Sequence, residues 1–532
     1  MSRTRIVGGN IYKTIGGNYN MYAEESIITH ANGNITETGE ESGVTFNNPR
    51  NPPILETITT ECVVEFRTKQ DGTYTGQFGF DWLRVDDNGL TTETKYYDIL
   101  ENGYEAPNGR APHRDANNDY ENKDEAFKAL KKQYKKISIN ILPRPAVAPF
   151  TRDYFVPYLN IFSKPVSDAT VVPTGTPKPP FEVELRTLVE VGGTDEPDQI
   201  RVVFDKRYFE INGKNGDDAN QVLITDKTLG AKREATADIL KIKCIADYTT
   251  DQTIKVFVYP KGSLARTLPE QLAARKLAGK IIVLPNDVTH RKIQKFVFVN
   301  VRTNINKVTG MDVVGNFNSN EKDNLQHALH QALIHGEFDS YVGDFDLTTD
   351  ANFQINTNAI SGVRTYGKFI YEKALIEGRT LRTDTSDGGL YEDIANKEMF
   401  IYLRAQFLAL PGNTAKYANH FTAFCFADIP YDMVVSSGGY SGTLGQAQAI
   451  NKKNVFIFSI RNDFTLNHEG LHGLGLEHTH PGGTTTPSKK FIFKLYETTN
   501  IMSYPSTSAG HPASSKTTTW KWQWKIEQSN AL

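Results

Sequence analysis

In "NHEGLHGLGLEH", residues 467–478, three of the chain's 12 histidines, two glutamates and three glycines share a short stretch. His468 and His472 are four residues apart, so on a helix they project from one face a turn apart and suit two imidazole ligands of a single ion. Glu469 adjoins the first ligand on the side where a metal-bound water would sit, the place of a general base. Gly473 and Gly475 weaken the helix beyond His472, and Gly475 can take the positive-φ conformation that turns the chain sharply. That turn brings His478 back as a third ligand. Three neutral nitrogen ligands with an open fourth position describe one catalytic zinc ion, because a structural site closes all four positions with protein. A bare His-Glu-x-x-His recurs by chance, but the added Gly475 and His478 make coincidence a poor explanation.

These residues need a helix behind a strand, and the surrounding sequence supplies both. "NVFIFSI" reads as a strand, followed by a helix starting near Asp463. Upstream, "KFVFVNVRTNI" and "HFTAFCFADI" read as strands. "NSNEKDNLQHALHQALIHGEF" reads as a helix with an Asn318/Glu321 capping box and Leu325, Ala328, Leu329, Ala332 and Leu333 on one face. His327, His330 and His335 make no clean face at their spacing and read as solvated. His480 lies beside a ligand set already complete, and His511 reads as a surface residue. "TTTWKWQWKIEQ" is a strand or part of a final helix, its tryptophans packing on the domain.

The full pattern His468-Glu469-x-x-His472-x-x-Gly475-x-x-His478 resembles that of the metzincin metallopeptidases. The resemblance implies a methionine turn below the metal; "TNIMSYP" supplies Met502. It also implies that Tyr504 acts as a labile ligand or oxyanion partner, the alternative being a packed tyrosine in a turn. "GGYSGTLGQAQAI" falls where such enzymes carry the substrate-pairing edge strand, through Gly438, Gly439, Gly445, Gln446 and Ala447. There an extended protein or peptide substrate would add by β-augmentation; an ordinary surface loop is the other reading. Thr479 is similar to pappalysins and some matrixins, while the short, cysteine-free spacing to Met502 departs from pappalysins, so the subfamily stays open.

At 532 residues the chain is long enough for about three to five domains. Its 39% hydrophobic and 23% charged residues suit a globular protein, and a net charge of −3 gives no basis for nucleic-acid binding. No stretch approaches a membrane span. The N-terminus has no apolar run of a signal peptide, so synthesis in the cytoplasm is expected. Cys62, Cys244 and Cys425 are far apart in apolar runs and read as buried thiols.

The texture predicts a multidomain chain. Residues 1–145 form a β-rich region, with repeated "VGGNIY" and "IGGNYNMY" and one basic helix over 123–137. Residues 150–262 form an immunoglobulin-like β-sandwich, from "FEVELRTLVEV", "QIRVVFDK", "ILKIKCIADY" and "TIKVFVYP". A connecting segment over 263–289 precedes an α/β (α+β) metzincin-like domain over 290–532. The front half is similar in style to effectors loaded on bacterial contractile secretion machines. That likeness implies a toxin exported by such a machine, with spike or tube components and an immunity protein as partners. Two functions follow: a delivered zinc endopeptidase, or a structural or adhesive spike component that binds zinc without catalysis. Glu469 favours the enzyme, since mere binding has no use for a base beside the metal.

Overall fold

The strands read between residues 180 and 260 divide between two sheets with a common core. In the computed structural model, Glu182–Val191 runs antiparallel to Gly230–Cys244, while Gln199–Val203 runs antiparallel to Gln252–Tyr259. Val183, Leu185, Leu240 and Ile242 of the first sheet pack with Ile200, Val202, Ile254 and Val256 of the second. Alternation along each strand sends these residues inward. The structure describes residues 58–532, leaving aside 60, 70–71, 86–92, 105–122, 142–149, 174, 216–221, 371–379, 382–397, 431–433, 437–438, 442, 481–490 and 532. The repeat within residues 1–50 lies outside the described residues.

The sandwich recruits strands from beyond the expected 150–262. Cys62–Thr68 joins the first sheet beside Glu182–Val191. Gly79–Asp81 and Lys276–Val283 join the second, on either side of Tyr158–Asn160 from within the expected range. Much of the expected connecting segment over 263–289 therefore belongs to the sandwich, because Ile281 and Val283 of Lys276–Val283 fill the sandwich core. All three cysteines are buried, and none forms a disulfide among the described residues.

From residue 290 the chain builds a mixed sheet. Lys292–Thr303 lies parallel to Ile334–Ser340 on one side and to Phe421–Cys425 on the other. Phe421–Cys425 pairs in parallel with Asn454–Ile457, against which Gly445–Ala447 runs antiparallel as the edge. Both faces are covered, as parallel strands require. Phe296 and Phe298 pack with Leu325, Leu329 and Leu471, while Val297, Val299 and Val301 pack with Phe400, Leu403 and Phe407. The first group comes from the helices Ser319–Gln331 and Thr465–Gly473, the second from Glu398–Ala409.

The expected boundaries near 145 and 290 do not divide the core. Tyr96, Leu130, Tyr134 and Tyr154 from the front of the chain belong to the same buried cluster as Phe296, Leu471, Met502 and Trp524. Leu100–Tyr104 pairs with Phe491–Phe493. The buried Asp81 carboxylate accepts from the Tyr134 hydroxyl at 2.9 Å and from the Lys521 backbone N–H at 2.9 Å. The basic helix spans Lys123–Lys131 rather than 123–137, since Lys136–Ile141 is taken as a strand by Phe150–Phe155. Among the described residues no helix is long and apolar enough to cross a membrane.

Candidate metal centre

The helix carrying the first two histidines spans Thr465–Gly473. Its start is held from two sides. Asn462 Oδ1 accepts from the Phe464 N–H at 2.9 Å, and the Asp463 carboxylate accepts from the Asn318 and Asn320 amides at 3.0 and 3.2 Å. Asn318 in turn caps its own helix through Glu321, whose carboxylate pairs with Arg461. The helix ends in a Schellman turn: Gly475 sits at φ +94°, and the Leu476 N–H donates to the Leu471 carbonyl at 3.0 Å. Gly473 is needed for closeness, because a Cβ there would meet the Phe421 ring at 2.3 Å.

This turn brings His478 onto the first two histidines. His478 Nε2 lies 3.1 Å from both His468 Nε2 and His472 Nε2. Three nitrogens at about 2.0–2.1 Å around a tetrahedral ion would be about 3.3 Å apart, so the triad fits such an ion closely. His468, His472 and His478 can hold one metal ion, and theirs is the one such group among the described residues.

Backbone carbonyls fix the tautomers. His468 Nδ1–H donates to the Ile501 carbonyl at 2.8 Å, and His472 Nδ1–H to the Leu476 carbonyl at 2.7 Å. A carbonyl only accepts, so both ring hydrogens sit on Nδ1 and both Nε2 lone pairs face the shared point. Burial lowers the basicity of all three rings, and the neighbouring histidines depress His472 and His478 further, His472 to about 3. The triad is therefore neutral at physiological pH, the state a metal needs.

Around it, Glu469 is buried on the same helix. The edge strand Gly445–Ala447 runs against it: a Cβ on Gly445 would come within 3.1 Å of Glu469 Cγ and 2.7 Å of Thr465 Cγ2. Met502 is fully buried, and its carbonyl accepts from the Thr479 N–H at 3.1 Å, which ties the turn at Met502 to the segment that carries His478. The Tyr504 ring centroid lies 4.8 Å from that of His478 and 5.9 Å from that of His468, and the residue is 41% exposed. Desolvation beside the imidazoles, then the charge of Glu469, raises its phenol to about 12, so it is a proton donor at neutral pH.

The expected edge strand divides. Gly445, Gln446 and Ala447 form the sheet edge, whereas Gly439 belongs to a separate hairpin, Gly439–Ser441 with Val434–Ser436. Gly438 lies outside the described residues. His480, set aside in the sequence, is buried, its ring stacked on that of His478 with centroids 5.0 Å apart and tilted against that of Tyr504 at 4.6 Å. Its position two residues past a ligand was the available signal.

The second histidine group is not solvated. His330 is 1% exposed. The Gln326 amide donates to His330 Nε2 at 3.0 Å and to His335 Nδ1 at 2.6 Å, and its Oε1 accepts from the Gly336 N–H at 3.2 Å. Gln326 and His330 share a helix face, and a left-handed Leu333 (φ 55°) folds His335 back beneath them. No protein-family model, curated protein or solved structure matches the chain.

Proposed function

We propose that the chain is a zinc-dependent endopeptidase of metzincin type. The observation that carries this reading is the convergence of three lone-pair nitrogens, two of them fixed by backbone carbonyls, beside a carboxylate and an edge strand. Borderline-soft imidazole ligands in tetrahedral spacing suit zinc. A bound zinc would supply a Lewis acid that acidifies a water molecule and polarises the scissile carbonyl.

The residues divide the remaining work. Gly445–Ala447 offers its outer edge to an extended peptide, whose backbone pairs with the strand while the scissile bond lies over the triad. Glu469 holds the attacking water and takes its proton as the carbon–oxygen bond forms. It then passes that proton to the leaving nitrogen as the carbon–nitrogen bond breaks. Tyr504 donates from its phenol to the oxyanion developing on the carbonyl.

The test is one metal analysis paired with a peptide-library digest of the full chain. Wild-type protein is expected to hold about one zinc and cleave internal bonds. Glu469→Gln keeps the zinc and loses roughly 10²- to 10⁴-fold in turnover, because an amide cannot accept the proton. Metal-loaded wild type without cleavage would instead support a zinc-binding structural component.

A further inference from the structure

The two carbonyls that orient His468 and His472 are themselves held in place. The Ile501 carbonyl belongs to the methionine turn, where Asn500 Oδ1 accepts from the Met502 N–H at 2.9 Å. The Asn500 amide is clasped by a second amide: its Nδ2 donates to Gln523 Oε1 at 2.7 Å, and Gln523 Nε2 donates back at 3.3 Å. Both side chains are completely buried. Gln523 stands in the first turn of the C-terminal helix, Lys521–Asn530, where its Oε1 also accepts from the Trp520 N–H at 2.8 Å.

The other end of this helix meets the other ligand. Asn530 Nδ2 donates to the Leu474 carbonyl at 3.3 Å and covers Gly475, where a Cβ would come within 2.4 Å of it. That turn delivers the Leu476 carbonyl to His472. One helix thus grips both backbone segments on which the ligand tautomers depend.

We propose that the C-terminal helix is a positioning element of the metal centre, Gln523 orienting His468 through Asn500 and the Ile501 carbonyl, and Asn530 orienting His472 through the Gly475 turn. This rests on the metal reading of the triad. Partners beyond the ligands tune affinity by about 10- to 100-fold, since they decide how much reorganisation binding requires. The helix carries its own internal comparison in Gln528, whose amide donates to the His290 and Ala332 carbonyls at 3.1 and 2.7 Å and reaches neither ligand segment.

The experiment is a zinc and cobalt(II) titration of the full chain against a competing chromophoric chelator, with melting curves of the metal-free proteins alongside. Gln523→Leu alone strands the Asn500 amide and costs stability. The double variant Asn500→Leu/Gln523→Leu removes both polar partners, which relieves much of that cost. It still lacks the acceptor for the Met502 N–H, and like the single variant it lacks the one for the Trp520 N–H. The expected result is that the double variant melts nearer wild type than the single one, yet binds metal about 10- to 100-fold more weakly, with shifted cobalt ligand-field bands. Gln528→Ala keeps wild-type affinity within about threefold, because its bonds serve docking alone. Wild-type affinity and spectrum in the folded double variant, or an equal loss in Gln528→Ala, would overturn the positioning role while leaving the metal site intact. A wild type that takes up no metal would strike the site itself.

Discussion

His468, His472 and His478 and the group His327, His330 and His335 each gather three imidazoles within a short span, partly on one helix. Burial lowers the basicity of every ring in both groups. The groups differ in where their hydrogens go. In the first, carbonyls take the Nδ1 hydrogens of His468 and His472, and three lone pairs face one point. In the second, the Gln326 amide spends its own hydrogens on two lone pairs, so those nitrogens are satisfied without an ion. Histidine clustering alone does not dispose a group to hold a metal ion; acceptors placed behind the rings, which turn the lone pairs inward, do.

The sharpest way to break this comparison is to delete one ring from each group. His472→Ala removes a ligand, and zinc is expected to pass entirely to a competing chelator. His330→Ala leaves a cavity and a less stable protein that still retains one equivalent. Metal analysis after dialysis reads both. Zinc lost equally from the two variants would mean that Gln326 yields its place to a metal and that the groups are alike.

A smaller effect is expected at Tyr504, which has no counterpart beside His330. Tyr504→Phe keeps the ring packing on His478 and removes only the phenolic donor. Turnover of a peptide substrate should fall by roughly 100-fold with zinc content unchanged. An unchanged rate would return Tyr504 to the role of a packed residue in a turn.

The difference between the two groups was partly legible in the sequence, and the reason is distance along the chain. The first site is a helix and one turn, so a spacing of four, a glycine and a further six positions carry nearly all its geometry. Its supports are not local: Ile501 and Gln523 reach the ligands only through the tertiary fold, and Gln523 lay hidden among tryptophans that signalled packing. His330 was misread because its burial depends on Leu333 reversing the chain and on Gln326 one turn earlier. The sandwich shows the same limit. Alternation marked its strands within 180–260, but nothing local ties Cys62–Thr68 to Glu182–Val191, or Tyr96 to Phe493, whose rings meet at 5.3 Å.

The smallest expected effect separates the groups by pH. Burial holds His330 well below its ordinary value, and His327 and His335 at about 4. The titratable groups acting on His330 are the other two histidines, and both disfavour a proton there. In the unfolded chain each ring titrates near about 6.5. From that pH down to about 4 the unfolded state therefore binds more protons than the folded one, and stability falls as pH falls. For the fully buried His330 the slope approaches about 1.4 kcal/mol per pH unit. A bound zinc ion would shield the first group over the upper part of this window, because protons would then compete with the ion. The zinc-loaded protein should thus owe most of its histidine-linked acid sensitivity near pH 6 to the second group. His330→Gln would lower the melting temperature at pH 7 and flatten its decline between pH 6.5 and 5. A decline as steep as wild type would show that His330 takes up its proton in the folded state, and that Gln326 does not hold the group as tightly as its hydrogen bonds imply.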